Sequence, residues 1–341
     1  MDKCFNKAIA FTDLHVGYKG DSQTFNQDCI DYTEWLISEG KKANAETCIF
    51  MGDFFHVRSR VNVFSLNVGL SIIEKIASSF DNFYFLVGNH DMYYRDRRDV
   101  VSTNIGRHIP NLTLIDEITT VGDTTFVPWL IKDEWKEIKN IDSKYVFGHF
   151  DMPNFMMNAM VVNPDHGQPI NANSFEKSSY VFSGHFHKRQ QNKNVIYIGN
   201  AFPHNFADVG DDDRGCMILE NDKEPVFLNW EDCPKYRVVN LSDLLDNSDK
   251  LASFIPKKSY IRIIMDTDLQ YEEATMIKNV LTNTFSAREV ELRPQAKQIE
   301  NDEDWNNVSF RSVDQMVTEG LMSVESTTIS PQKLIQIWQE L

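Results

Sequence analysis

Cysteine is sparse and unpaired in this sequence. Cys4, Cys29, Cys48, Cys216 and Cys233 are scattered through 341 residues, odd in number and never in a C-x-x-C pair. That argues against a disulfide framework or a structural zinc site and fits a reducing compartment. Long apolar runs are missing as well: no stretch nears the roughly 18 residues of a membrane span. The opening Met1-Asp2-Lys3-Cys4-Phe5 lacks a basic-then-apolar signal pattern, so a cytoplasmic location is expected. There is no internal repeat or low-complexity tract. Positive charge is also in deficit, with 34 Lys+Arg against 50 Asp+Glu and a net charge of −16. A nucleic-acid binder usually shows the opposite balance, so any such role must rest on local charge.

What is present is a series of short polar runs, each just after a β-rich apolar stretch: Asp13-Leu14-His15, Gly52-Asp53, Gly88-Asn89-His90-Asp91, Gly148-His149 and Gly184-His185-Phe186-His187. Together they offer Asp13, His15, Asp53, Asn89, His149, His185 and His187 as oxygen and nitrogen ligands. Two divalent metals about 3.5–4 Å apart can clamp the attacking and leaving oxygens of an in-line displacement at phosphorus. Two cations that close need a bridging carboxylate, and Asp53 is the natural choice. Asp13, His15 and His187 would complete one shell, and Asn89, His149 and His185 the other. Mixed carboxylate, amide and imidazole donors without thiolate suit manganese, iron or zinc, and two divalent metal ions are the expected cofactors. His90 is expected in the chemistry, with Asp91 orienting its imidazole.

Bound cations would add positive charge that composition ignores. Basic residues cluster beside the motifs: Arg58 and Arg60 after the second, Arg95, Arg97 and Arg98 after the third, Lys188 and Arg189 after the fifth. These are the candidate DNA contacts.

Apolar periodicity predicts strands at 8–13, 47–51 and 83–87. Helices follow near 24–38 (Phe25, Cys29, Tyr32 and Leu36 inward) and 64–79 (Leu66, Leu70, Ile73 and Ala77 inward). Such alternation implies parallel pairing with helices on the faces. Short strands are expected at 112–115, 118–121, 124–128, 144–147, 179–183, 194–198, 214–219 and 225–230, giving a mixed sheet or two-sheet sandwich. The Met-rich segment between His149 and Tyr180 reads as a loop or lid without chemistry of its own. From 235 the pattern restarts: strand 236–240, helix 242–253, strand 259–265, helix 271–284 and strand 287–292. An acidic linker with Glu300, Asp302, Glu303 and Asp304 then leads to two amphipathic helices. One spans about 309–322 and the other begins at Ser330-Pro331, an N-cap followed by proline at the first helical position.

The five motifs in this order resemble those of the calcineurin-like metallophosphoesterases: D-x-H, G-D, G-N-H-[DE], G-H and G-H-x-H, over about residues 8–200. The resemblance implies an α/β (α+β) two-sheet sandwich flanked by helices, with the seven ligands above and His90 as catalytic histidine. Within the superfamily, Gly52-Asp53-Phe54-Phe55-His56 is similar to the SbcD-type DNA repair nucleases, where a histidine at the place of His56 helps present the strand. The run Tyr197-Ile198-Gly199-Asn200-Ala201-Phe202-Pro203 looks more like the form found in large tailed bacteriophages, which would place the protein in a bacterial host cytoplasm.

That resemblance implies four segments: 1–232 nuclease domain, 233–294 DNA-capping α/β domain, 295–308 linker and 309–341 helical tail. The tail would grip an SMC-like ABC ATPase partner (SbcC-type) through Val313, Met316, Val317, Leu334, Ile335 and Trp338. A homodimer is also implied, through segments 64–79 and 98–108; Leu66, Val68, Ile72 and Ile76 could serve it or equally be core. The expected activity is manganese-dependent DNA hydrolysis, double-strand exonuclease and single-strand endonuclease. Competing readings are a phosphomonoesterase or cyclic-nucleotide phosphodiesterase of the same fold, and an idle scaffold for the ATPase.

Overall fold

The computed structural model describes residues 2–247 and 250–295, together with Ser330 and Lys333. The chain divides into two units, Met1–Arg293 and Pro294–Leu341, and the architecture below is that of the first.

Alternation along β1 (Lys7–Phe11) explains the layering. Ala8 and Ala10 point to one side and Ile9 and Phe11 to the other, all four fully buried, as required of a strand covered on both faces. β1 pairs in parallel with β2 (Thr47–Phe50), which pairs with β3 (Asn82–Leu86) and then β4 (Leu112–Ile115). On its other edge lie the antiparallel β11 (Gly215–Glu220) and β12 (Val226–Asn229), closing a six-stranded sheet. The second six-stranded sheet has the order β5-β6-β7-β8-β10-β9. Its parallel centre is β6 (Thr124–Val127), β7 (Tyr145–His149), β8 (Tyr180–Gly184) and β10 (Val195–Tyr197). β5 (Thr119–Val121) and β9 (Gln190–Asn192) pair antiparallel at the edges.

Ala8, Ala10, Ile49, Met51 and Leu86 of the first sheet meet Phe126, Phe147, Phe182 and Ile196 of the second in the sandwich core. The outer face of the first sheet (Ile9, Phe11, Phe50, Phe85) packs on helices α1 (Gln23–Ala43) and α2 (Val63–Ala77). On α1, Phe25, Cys29, Tyr32 and Leu36 are buried as expected. The face of α2 is turned from the expected stripe: Val68, Ile72, Ile73, Ile76 and Ala77 are buried, while Leu66 and Leu70 are only partly so. Gly69 is the cause, because a Cβ there would stand 2.6 Å from the Phe55 ring. The glycine lets α2 settle onto Phe54 and Phe55 and carries its neighbours inward. Val68, Ile72 and Ile76 are therefore core and offer no free face to a second copy. The segment 98–108 forms no α-helix either, only a 3-10 turn at Asn104–His108.

The Met-rich segment does structural work on the outer face of the second sheet. Phe150, Met152, Phe155, Ile170 and Phe175 pack there on Val127, Val146, Val181 and Val195, in place of a helix. All five cysteines are free.

After residue 234 a three-stranded sheet has the order β13 (Lys235–Asn240), β14 (Ser259–Met265), β15 (Glu289–Pro294). It packs its own core of Leu241, Leu244, Ile261, Ile263 and Leu281 against α3 (Leu241–Asp246), α4 (Leu251–Phe254) and α5 (Tyr271–Asn283). The single helix expected at 242–253 is thus broken into two short pieces. At the second expected N-cap, Ser330 Oγ accepts from the Lys333 amide at 3.3 Å. The six apolar tail positions, Val313, Met316, Val317, Leu334, Ile335 and Trp338, lie outside the described residues, as does the acidic linker.

Candidate metal centre

Parallel strands of both sheets end on the same side, and the polar runs follow them there, at the carboxyl ends where open α/β sheets bind ligands. Asp13 and His15 follow β1, Asp53 follows β2 and Asn89 follows β3. His149 ends β7, and His185 and His187 follow β8. Four of these residues leave their strands in the left-handed region: Asp13 (φ 52°), His15 (φ 50°), Asp53 (φ 63°) and His185 (φ 83°). Side chains with a Cβ rarely adopt that conformation, and it persists where the surroundings impose it. Here the backbone imposes it, since the Asp13 amide donates to Gly52 O at 3.0 Å and the His15 amide to Asp53 O at 3.1 Å.

The floor of the site is buried and acidic. Asp13 and Asp53 are 0% and 2% exposed. Asp13 Oδ2 accepts from Thr12 Oγ1 (2.7 Å) and the His185 amide (3.0 Å); its Oδ1 is buried with no hydrogen-bond partner. That oxygen lies 3.8 Å from His15 Nε2 and 4.0 Å from His187 Nε2. Asp53 Oδ1 accepts from the His90 amide at 2.7 Å, while Oδ2 faces His149 Nε2 at 3.4 Å and His15 Nε2 at 3.8 Å. Asn89 Oδ1 sits 3.1 Å from both His149 Nε2 and His185 Nδ1. His149 Nδ1–H donates to Met51 O at 2.7 Å, the outer contact that typically holds a ligating imidazole in orientation. The seven expected ligands are thus brought to one place.

Two glycines make room for this. At Gly52 (φ 101°) a Cβ would meet His149 Nδ1 at 2.6 Å, and at Gly88 one would meet the Asp53 amide nitrogen and Oδ1 at 2.3 Å.

Charge in this pocket is tightly balanced. Burial pushes Asp13 up from the usual carboxylate range, with neighbouring Asp53 adding to the effect. Burial also opposes charge on Asp53, but His149 and His15 outweigh it and hold that carboxyl well below its usual value. Burial disfavours protonated His149 too, yet Asp53 raises it to about 9. Burial, then the charge on His149, lowers His185 to about 3. A pair of buried carboxylates needs positive charge beside it. The partnerless Asp13 Oδ1, the carbonyl-anchored His149 and the oxygen-plus-imidazole donor set all fit divalent cations. Asp13, His15 and Asp53 place ligand atoms within 4.8 Å of one another, and so do Asp53, His149 and His185. Asp53 belongs to both groups.

His56, His90, His185 and His187 form a half-buried rim. His90 Nδ1–H donates to the carbonyl of His56 at 2.6 Å, and the two rings stack with centroids 5.4 Å apart. His56 Nδ1 lies 3.4 Å from His15 Nδ1; burial, then the neighbouring His90, lowers its pKa to about 4.

Asp91 has a different place from the one expected. Its Oδ2 accepts from the amides of Asp53 and Gly88, both at 2.9 Å, and its Oδ1 from Phe54 at 2.9 Å. It orients the turns that carry Asp53 and Asn89, not the His90 imidazole. Buried anions satisfy backbone donors well, and the G-N-H-D pattern could not reveal which donors this one would find.

Four of the basic candidates have partners within the chain. Arg97 pairs with Asp99 at 3.3 Å and lies over the Tyr94 ring. Arg98 forks onto Glu134 and also donates to Trp129 O at 2.6 Å. Arg189 donates to Ile198 O and Asn229 Oδ1, and Lys188 to Asp211 at 3.0 Å. Arg60, Arg95 and Arg97 are exposed and Arg58 is half-buried.

One residue by the site carries no motif. His204, 1% exposed, sets its ring 5.4 Å from that of His15 and 5.2 Å from that of His187. A single histidine in Asn-Ala-Phe-Pro-His gives no spacing signal, so sequence patterns miss it.

A family model of the calcineurin-like phosphoesterases matches residues 7–189. The chain belongs to that family. It is a metallophosphoesterase, an enzyme class that hydrolyses phosphate esters with divalent metals, and its two sheets have the expected α/β sandwich form. Among curated proteins, this phosphoesterase is 26% identical over 227 residues to exonuclease subunit 1 of Enterobacteria phage T4, covering 64% of this chain and 66% of that protein. The match thus falls just short of two thirds of the relative's length. Among solved structures it is similar to a dimetal phosphatase from Danio rerio (10% identity, 67% of this chain and 100% of that one, TM-score 0.42). The E. coli phosphoesterase YfcE (12%, 65% and 100%, TM-score 0.32) and the Pseudomonas putida nuclease MPE (15%, 64% and 87%, TM-score 0.31) also match. Among the described residues no helix is long and apolar enough to cross a membrane.

Proposed function

We propose that this chain is a DNA nuclease that hydrolyses phosphodiester bonds with two divalent cations, most readily Mn²⁺, bridged by Asp53. The observation that carries the reading is the membership of Asp53 in two separate ligand groups. Asp13, His15 and His187 would complete one shell, and Asn89, His149 and His185 the other. When bound, the cations supply Lewis-acid polarisation of the phosphoryl oxygens and neutralise developing negative charge.

The chain's own residues do the rest. Because a carbonyl can only accept, the His56 contact assigns the proton to His90 Nδ1. His90 Nε2 is then the atom that faces the reacting phosphate, stabilising it or passing a proton to the leaving oxygen. The His56 ring, stacked on His90 at the rim, positions the strand. Arg58, Arg60, Arg95 and Arg97 contact the phosphate backbone, a sequence-independent attraction that salt weakens. Similarity to a phage exonuclease subunit supports DNA as substrate. The module at 233–294 would cap the DNA. Residues 309–341, behind the linker 295–308, would dock an SMC-like ATPase, and two copies would pair in the working complex.

The test is manganese-dependent cleavage of linear duplex DNA compared with p-nitrophenyl phosphate, with Asp53→Asn as control. The reading expects DNA to be cut and the small ester to be a poor substrate. Efficient turnover of p-nitrophenyl phosphate with intact DNA would favour a phosphomonoesterase. Inertness towards both, with cations bound, would favour a scaffold.

A further inference from the structure

His204 is fixed in place, pressed against the cluster and short of one partner. Its amide donates to Asp208 Oδ2 at 3.0 Å, and its carbonyl accepts from Tyr236 Oη, on β13, at 2.6 Å. The loop that carries it is clamped by fully buried Arg214, which donates to Asn200 Oδ1 at 2.6 Å and forks onto Asp211 at 2.8 and 3.0 Å. The rings of Phe25 and Phe202 pack on the imidazole, with centroids 5.3 and 5.2 Å away. The rings of His15 and His187 lie at steep angles to it, 87° and 79°.

His204 Nε2 is buried and has no hydrogen-bond partner. A buried polar atom left in that state is destabilising, and phenyl rings cannot relieve it. Ligand nitrogens of His15, His187 and His204 lie within 4.8 Å of one another.

We propose that His204 is an additional ligand, with His15 and His187, of the cation held on the Asp13 side of the cleft. The inference rests on the reading that this cleft binds cations. It makes the two positions unequal. The Asn89 side has two imidazoles, an amide and the shared carboxylate. The Asp13 side gains a third imidazole beside Asp13 and Asp53. Imidazole-rich sites suit Fe²⁺, Co²⁺ and Zn²⁺, whereas Mg²⁺ favours oxygen. The Asp13 side is therefore the one that discriminates among metals.

The experiment is titration of the cation-stripped full chain with Co²⁺ and, separately, Mg²⁺, read by calorimetry and by the visible Co²⁺ spectrum. His204→Phe keeps the aromatic packing and removes the nitrogen; His204→Gln keeps a polar atom in its place if the phenyl variant misfolds. Wild type is expected to bind two Co²⁺ per chain. Either variant should bind one of the two at least 10–100-fold more weakly, a range that even outer-shell changes reach. Its Co²⁺ spectrum should be altered and its Mg²⁺ affinity should change little. The variant that folds and retains both Co²⁺ affinities and the wild-type spectrum would overturn the assignment of His204 while leaving the cation reading standing. A wild-type chain that takes up no cation would overturn both.

Discussion

The carbonyl of His56 holds Nδ1 of His90 at 2.6 Å, so a backbone atom, not the neighbouring Asp91, decides which ring nitrogen of His90 carries the proton. The two residues come from loops after different strands, and the contact lets the second motif set the tautomer of the third. His90→Ala should therefore lose about 10²–10⁴-fold in turnover on every substrate with its cation content unchanged. His56→Ala keeps the carbonyl and hence the tautomer. It should harm cleavage of one DNA form, duplex or single-stranded, more than the other. Loss of a cation from His90→Ala, measured by elemental analysis, would show that His90 is a ligand.

Asp91 makes a prediction that separates structure from chemistry. Asp91→Asn offers one acceptor oxygen where two now serve four amides, leaving at least one buried donor unpaired. A loss of about 1–3 kcal/mol of stability is expected, together with weaker cation uptake as the Asp53 turn loosens. Chemical denaturation and calorimetry read the two effects. Unchanged stability with reduced turnover would return Asp91 to the orienting role.

Arg214 is fully buried between Asp211 and Asp208. Arg214→Met should cost about 3–5 kcal/mol, the usual consequence of stranding buried charge, and the midpoint of denaturation measures it. Asp211 itself should shape the acid limb of stability. Burial opposes its charge, but Arg214 and Lys188 prevail and depress its pKa below the ordinary value. A depressed carboxylate contributes stability that is present above the unfolded pKa, about 3.9, and is lost as pH falls through the folded value. Between neutrality and pH 3 the melting temperature of wild type should thus fall more steeply than that of Asp211→Asn. Parallel slopes would remove Asp211 from the acid response.

Gly88→Ala should behave like a local wedge. The added Cβ would strike the amide and Oδ1 of Asp53 at 2.3 Å, displacing the shared carboxylate. Metal-dependent cleavage should be lost while circular dichroism keeps the wild-type signature. A fully active Gly88→Ala enzyme would mean that Asp53 is free to move without consequence.

The fold, and the convergence of the seven expected ligands on one place, were legible because each depends on local pattern. Strands such as β1 and β2 announce themselves as short buried β-rich runs, and every expected ligand stands within a few residues of a strand end. What was hidden depends on contacts distant in sequence. The orientation of α2 follows from Gly69 meeting the Phe55 ring, which no periodicity encodes. β9, Gln190-Gln191-Asn192, is polar and three residues long, and is a strand only because β10 pairs with it. Arg98 and Arg189 look like loop charges until Glu134 and Asn229, 36 and 40 residues away, claim them. His204 reaches the site through a loop clamped by Arg214 and Tyr236, and its role follows from where its nitrogen is left.

The most direct test of the account is cation stoichiometry and DNA cleavage measured together on wild type and Asp53→Asn. The substitution keeps the size of the side chain and removes the charge that both ligand groups share. Wild type should bind two Mn²⁺ per chain and cut DNA, and Asp53→Asn should lose bound Mn²⁺ and all cleavage with its melting temperature intact. An Asp53→Asn protein that still holds two cations and cleaves at the wild-type rate would contradict the account.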